Sequence, residues 1–431
     1  MKKIFLLLVL PLLAQAQKID KIITRSETER IETYLASDEL AGRKPFTPGI
    51  EKAAQFISAE FEKAGLQKTN GSYLQSFPMY QSKVLSVAGG LDEQTLESKQ
   101  VAIISKEATI QIDEKSGFEV ASIKEGENFG QNAYRLMSAK KPTIAFLHES
   151  FAKYIPRLSG RGPLRENQST IIFVVANTIP TKFKVSATQQ VEKLQLSNVV
   201  GILPGKSRPN EYVIFSGHYD HLGIGKPVEG DSIYNGANDD GSGTVTVMEL
   251  AEAFGKAAAE GKRPRRSILF MTVTGEEKGL LGSEWYANHP LFPLKNTVVD
   301  LNTDMTGRYD DEHKGKPDYI YEIGSDKLSS QLREVLVEQY KKHVGLELDY
   351  RYNDANDPNR FYYRSDHYNF AKHGIPVAFF FNGVHDDYHM PGDEVDKIEF
   401  DQIQKVGRLV FYMAWEIANR EQRLVVDSNK P

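Results

Sequence analysis

Five short segments concentrate the residues that can hold a divalent cation or move a proton. They are Ser216-Gly217-His218-Tyr219-Asp220-His221, Asn238-Asp239-Asp240-Gly241-Ser242-Gly243, Thr274-Gly275-Glu276-Glu277-Lys278-Gly279, Asn302-Thr303-Asp304-Met305 and Tyr388-His389-Met390-Pro391-Gly392-Asp393. Their donors are imidazoles and carboxylates, ligands that suit zinc where thiolates are absent. Cys is absent from the sequence, which removes disulfide scaffolds, Cys-ligated metals and Cys nucleophiles together. Taken singly, each segment has an ordinary reading. Asp239-Asp240-Gly241 is a turn, Glu276-Glu277 a solvated helix start and Asp304 a helix N-cap. His218 and His221 are then polar surface or satisfied core residues, and His389 is loop surface before a Pro-Gly turn. Three of the five segments directly follow strand-like runs, and it is their combination that points to a metal centre. There is no His-Glu-x-x-His, no Gly-x-Ser-x-Gly and no complete Gly-x-Gly-x-x-Gly, so zincin, serine-hydrolase and dinucleotide readings lose ground. With 53 Lys and Arg against 58 Asp and Glu the formal net charge is −5, which gives no support to nucleic-acid binding. The basic run Lys262–Arg266 reads as a solvated connection.

The elements that must position these residues can be read from hydrophobic patterning. Tyr212–Gly217, Ser267–Val273, Val298–Asn302 and Val377–Phe381 are short apolar runs, consistent with buried strands. Gly243 to about Glu260 is helical, with Val247, Leu250, Ala251 and Phe254 on one face; further helices are expected over Lys327–Lys342 and Asp401–Arg420. Strands alternating with helices predict an α/β fold, a mostly parallel sheet with helices on both faces. In such sheets sites form beyond the carboxyl ends of the strands, where the loaded segments fall. Nearer the start, Ser26-Glu27-Thr28-Glu29 reads as a capping box opening a helix through about Leu35, and 48–66 has helical spacing. From Phe77 the character changes to apolar stretches separated by polar turns, Val101–Ile104, Thr143–Leu147 and Ile171–Val175 among them, which predicts a β-rich inserted domain. The expected layout is a signal peptide over 1–16, an N-terminal part of the main domain over 17–80, the insert over 81–195, a catalytic domain over 196–420 and a tail over 421–431. Lys2 and Lys3, the apolar run Ile4–Leu13 and Ala14-Gln15-Ala16 have the layout of a cleavable export signal, and the run is too short to span a bilayer. The expectation is an exported protein, periplasmic or secreted, without a stable membrane anchor, whose mature chain starts near Gln17.

In type and order the five segments resemble the M28 family of zinc aminopeptidases, over roughly 20–80 and 195–420, with the insert outside the resemblance. The resemblance implies a phosphorylase/hydrolase-like fold, two zinc ions per chain and peptide substrates with a free N-terminus; the insert, outside it, is expected to be PA-like. It implies that His218 and Asp304 ligate one metal, that Glu277 and His389 ligate the other, and that Asp239 bridges both. Glu276 then matches the general base, and Asp220 the acid that fixes the His218 tautomer, as metal-bound imidazoles usually require. A cis peptide is implied at Asp239–Asp240. Zinc lowers the pKa of a bound water to about 7. If Glu276 and Glu277 sit on extended backbone they point opposite ways, so one can coordinate while its neighbour takes a proton. A single-zinc glutaminyl cyclase on the same fold is the alternative. Against it stand the short stretch Glu277–Ser283, without a Trp-bearing insertion, and Tyr388 rather than Trp before His389. A carboxypeptidase-type hydrolase or an amino-sugar deacylase is a third reading. A non-catalytic receptor is disfavoured because every ligand position and the base are present. Ser365-Asp366-His367 is expected near the pocket in a substrate-shaping or structural role. His221 is expected to be pocket wall or structure, and His385-Asp386-Asp387 an acidic loop. Tyr352, Phe361, Tyr362 and Tyr363 either line the pocket or serve as packing.

Overall fold

The structure is a computed structural model, and it describes residues 19, 21–159 and 162–429. The expected signal peptide, 1–16, lies outside the described residues. Among the described residues no helix is long and apolar enough to cross a membrane. The chain forms two compact units, one from both ends of the chain, bounded by Ser76 and Leu196, and one over Phe77–Gln195.

The first unit is built on a mixed sheet. Its order is Glu347–Asp349, Tyr319–Ile323, Val377–Phe381, Thr297–Thr303, Arg208–His218, Arg266–Val273 and then the end of Phe183–Leu203. The four central strands run parallel. Tyr319–Ile323 pairs antiparallel with Val377–Phe381, and Val199–Leu203 pairs antiparallel with Arg266–Val273. All eight residues of Arg266–Val273 are buried, because helices cover both faces of the sheet. Successive side chains alternate between faces. Val213 and Phe215 pack with Val247, Leu250 and Phe254 of the Gly243–Ala259 helix and with Val406 and Leu409 of the Phe400–Asn419 helix. Ile214 packs on the other face with Tyr286 and Phe370. The α/β architecture expected from the alternation is what the chain adopts, with antiparallel strands added at the flanks.

One expected start signal takes a different part. The first helix runs Arg25–Leu35 from Thr24, with no side-chain capping bond, so Ser26 lies inside its first turn. The hydroxyl of Thr28 donates instead to Glu249 Oε1 at 2.5 Å, on the neighbouring helix. Thr28, an inner position of the expected box, is thus used for a contact between helices rather than for a cap.

The second unit has a four-stranded sheet in the order Val101–Ile104, Ile171–Val175, Thr143–Leu147, Glu119–Ile123. Glu119–Ile123 and Thr143–Leu147 run parallel. Parallel neighbours need a crossover, and the helix Phe129–Met137, capped by Asn128 accepting from the Gln131 amide, supplies it. This helix is absent from a reading of the segment as strands and turns.

Candidate metal centre

Strand register brings the reactive segments level with one another. Along the central pairings His218 stands opposite Val273, and Ser216 opposite Asn302. The residues just beyond these strands therefore emerge along one edge of the sheet. Asp239 and Asp240 arrive from the turn that opens the Gly243–Ala259 helix, and the Asp239–Asp240 peptide is cis. Glu276 and Glu277 stand on a single 3-10 turn, Glu276–Lys278, after Gly275 in left-handed conformation. The extended backbone invoked to separate these two carboxylates is thus not what separates them; the tight turn is.

Two donor groups share Asp239. His218 Nε2 lies 3.3 Å from Asp239 Oδ1, 3.7 Å from Asp304 Oδ2 and 4.0 Å from Glu276 Oε2. His389 Nε2 lies 3.1 Å from Asp239 Oδ2 and 3.4 Å from Glu277 Oε1. His221 Nδ1 reaches the same second group, 3.0 Å from Glu277 Oε1 and 4.0 Å from Asp239 Oδ2. Donors at about 2.0–2.2 Å from a tetrahedral zinc ion stand about 3.3 Å from one another, and these separations bracket that value. Asp239 Oδ2, Glu277 Oε1 and both ring nitrogens of His221 are buried and make no hydrogen bond within the chain. Buried polar atoms are seldom left unpaired without a reason. Here several of them aim at one point with a donor set that suits a divalent ion. The local field agrees. Burial opposes charge on His389, but the Asp239 and Glu277 carboxylates overcome it and raise its pKa to about 10. Burial and Asp239 oppose charge on Glu277, yet the His221 and His389 imidazoles hold it at about 2. The negative field that favours a proton on this imidazole would equally favour a metal cation in its place.

All seven predicted site residues are brought together, but Asp220 acts through different atoms. Its carboxylate Oδ1 is 3.8 Å from His218 Nδ1, while its main-chain carbonyl accepts from that nitrogen at 3.1 Å. The carboxylate accepts instead from the Glu276 amide at 3.1 Å, so Asp220 places Glu276 by its side chain and His218 by its backbone. Burial pushes the Asp220 carboxyl up to about 6.

Further residues hold the ligands. Asp240 accepts from the amides of His218, Gly243 and Met305, tying three of the loops to one carboxylate. Asp393 accepts from the amides of Asn238 and Asp239. Ser365 donates to Asp304 Oδ2 at 2.7 Å and accepts from Asn302 at 2.9 Å, which gives the Ser365-Asp366-His367 stretch a structural role at the site. These residues sit inside or beside the quoted motifs, yet their bonds join loops far apart in sequence.

The centre opens into a cleft lined on its apolar side by Met305, Phe361, Phe379, Phe381, Val384 and Tyr388, with Arg364 at the wall. Of the four aromatics read as either pocket lining or packing, Phe361 lines the cleft. Tyr352 packs behind Phe361 at 4.7 Å between ring centroids, and Tyr362 and Tyr363 pack against Tyr368. Arg364 is held at Tyr388, 3.2 Å from its hydroxyl.

With fold and centre in view, the likeness to known proteins becomes specific. Residues 198–414 match the model of peptidase family M28, and the chain belongs to that family. A probable leucine aminopeptidase of Arthroderma otae is 28% identical over 245 residues, covering 55% of this chain and 62% of that protein. The chain thus spans about three-fifths of that relative. Among solved structures, an aminopeptidase from Aneurinibacillus sp. strain AM-1 superposes with a TM-score of 0.57 at 18% identity, over 96% of this chain and 100% of that one. A glutaminyl cyclase from Porphyromonas gingivalis superposes at 0.50 and 11% identity, over 90% and 97%. The fold is therefore common to two chemistries, and the choice between them falls to the site.

Proposed function

We propose that the protein is a zinc aminopeptidase that uses two metal ions to hydrolyse the N-terminal residue from peptides. The observation that carries this reading is the pair of donor groups sharing Asp239, buried except at His389, beside Glu276 and opening into a cleft with apolar residues on one side. In this reading His218, Asp239 and Asp304 hold one ion, and Asp239, Glu277 and His389 hold the other. Such a pair polarises a scissile carbonyl and activates water at neutral pH. The remaining work belongs to the chain. Glu276, whose carboxyl burial raises well above its ordinary value, holds the proton taken from water and returns it to the leaving amine. The carboxylate of Glu276, which stands outside both ligand sets, is the acidic group there that can receive the substrate ammonium. Met305, Phe361, Phe379 and Phe381 receive an apolar side chain at the first residue.

The test is release of free amino acid from unblocked and N-acetylated forms of one apolar peptide. Release from the unblocked peptide alone, abolished by chelation and restored by Zn²⁺, is expected. Equal release from both would refute exopeptidase action. Cyclisation of N-terminal Gln by a one-zinc protein would move the assignment to glutaminyl cyclase. We also infer export from the 1–16 pattern; N-terminal sequencing of protein recovered from a secreting host should begin near Gln17, and an intact Met1 would overturn that inference.

A further inference from the structure

We propose that His221 is a further protein ligand, its Nδ1 joining Asp239, Glu277 and His389 around one ion, so that one metal site is closed by four side chains. The inference rests on the two-metal reading above and goes beyond its ligand set.

The imidazole of His221 has no exposed side-chain surface. Its Nδ1 stands 3.0 Å from Glu277 Oε1, yet neither atom takes part in a hydrogen bond. Two buried donor atoms that approach so closely without an aligned hydrogen bond have the placement of two ligands of one cation. His389 Nε2 faces that point from another side, 3.4 Å from the same Glu277 oxygen and 3.1 Å from Asp239 Oδ2. The rings of His221 and His389 meet edge to face with centroids 5.9 Å apart, so the two imidazoles do not block each other.

The surrounding chain is shaped to hold the ring there. Gly236 has φ +59°, and a Cβ on it would fall 2.4 Å from His221 Cγ and 2.3 Å from the Asp239 carbonyl oxygen. Only glycine leaves room for that ring against that backbone. The His221 amide donates to the Arg43 carbonyl at 3.2 Å. The Arg43 guanidinium in turn donates to the carbonyls of Tyr219, Asn235 and Gly236. Both walls of the ring's slot are thus clamped by one buried residue, and the imidazole is positioned before any ion arrives.

The consequence is an asymmetric centre. The His218–Asp239–Asp304 site has three protein ligands and keeps a position for water or substrate, whereas the site with His221 is filled by protein, as structural zinc sites are. The filled site binds its ion more tightly and is the last to be emptied by a chelator.

The deciding measurement is a crystal structure of the full-length mature protein loaded with Zn²⁺, together with calorimetric Zn²⁺ titration of the metal-stripped wild type and the His221→Ala variant. Expected are two ions, His221 Nδ1 at about 2.0–2.1 Å from one of them, and at least a tenfold loss of affinity at the tighter site of the variant, with the weaker site unchanged. An Nδ1 beyond about 3 Å from every bound zinc ion, or a tighter site unaltered by His221→Ala, would overturn the proposal. If the variant does not fold, the wild-type distance decides alone. Should the wild type take up one ion rather than two, the two-metal reading fails, while the Nδ1–zinc distance still settles the part played by His221.

Discussion

At the scale of single residues, the proposed roles separate holding a metal from moving a proton. Glu276 comes no nearer than 4.0 Å to His218 Nε2, and its amide is fixed by Asp220. Glu276→Gln keeps the shape and removes the proton acceptor. We expect turnover to fall at least about 100-fold with zinc content unchanged, read by steady-state kinetics and metal analysis on the same sample. Turnover near wild type would take Glu276 out of the reaction. Ser365 has the opposite profile. It donates to Asp304 Oδ2 and is itself anchored by Asn302, so it acts through a ligand. Ser365→Ala should weaken zinc at the three-ligand site by about 10- to 100-fold, as loss of a ligand's hydrogen-bond partner does. Raising the zinc concentration should restore most of the turnover. A defect that persists at saturating zinc would mean that Ser365 serves the substrate directly.

At the scale of elements, the candidate ligands keep their places because buried polar groups stitch loops to helices. Arg43 is 1% exposed and donates to the carbonyls of Leu35, Tyr219, Asn235 and Gly236. Arg43→Leu leaves these carbonyls without that donor and removes the charge facing Glu32, so we expect a loss of at least about 3 kcal/mol of stability in denaturant titration. A loss under about 1 kcal/mol would show that water takes over the bonds. This layer also marks how far the sequence could be read. The strands that carry the centre announced themselves as apolar runs, and the ligand types stood at their ends. Tyr319–Ile323 did not, because its buried Glu322, satisfied by Ser325 and paired with Arg333, breaks the apolar run. The duties of Asp240 and Asp393 were hidden for another reason. Each accepts main-chain amides, and amides carry no residue signature that spacing could match. His221 was hidden because its three-residue offset from His218 lies in a loop, where no periodicity says which way a ring will point. Glu276 and Glu277 received the right neighbours from the wrong geometry, since the 3-10 turn that separates them depends on glycines and packing beyond the pair.

At the scale of the whole molecule, the same burial that shapes the core makes stability depend on pH. Glu249 sits in the packed face of the Gly243–Ala259 helix, 1% exposed. Thr28 donates to its Oε1, and its Oε2 has no partner. Burial drives its pKa from 4.5 up to about 8. Glu32 and Asp300 are raised by burial in the same direction. For Glu249, the folded protein binds one more proton than the unfolded chain between about pH 4.5 and 8. By linkage, stability must fall as pH rises through that window, and it does not change with this group below or above it. Glu249→Gln fixes the neutral form and removes this dependence. The gap in Tm between variant and wild type, measured on the full chain, should stay constant below about pH 4.5, widen in the variant's favour up to about pH 8 and then level off. Asp300 cancels from the comparison, because nothing couples it to Glu249, whereas Glu32, whose pKa the Glu249 charge also raises, is lowered in the variant and narrows the gap slightly. A gap that is the same at every pH would mean that the wild-type carboxyl ionises as readily inside the fold as outside it, and would overturn the raised pKa of Glu249.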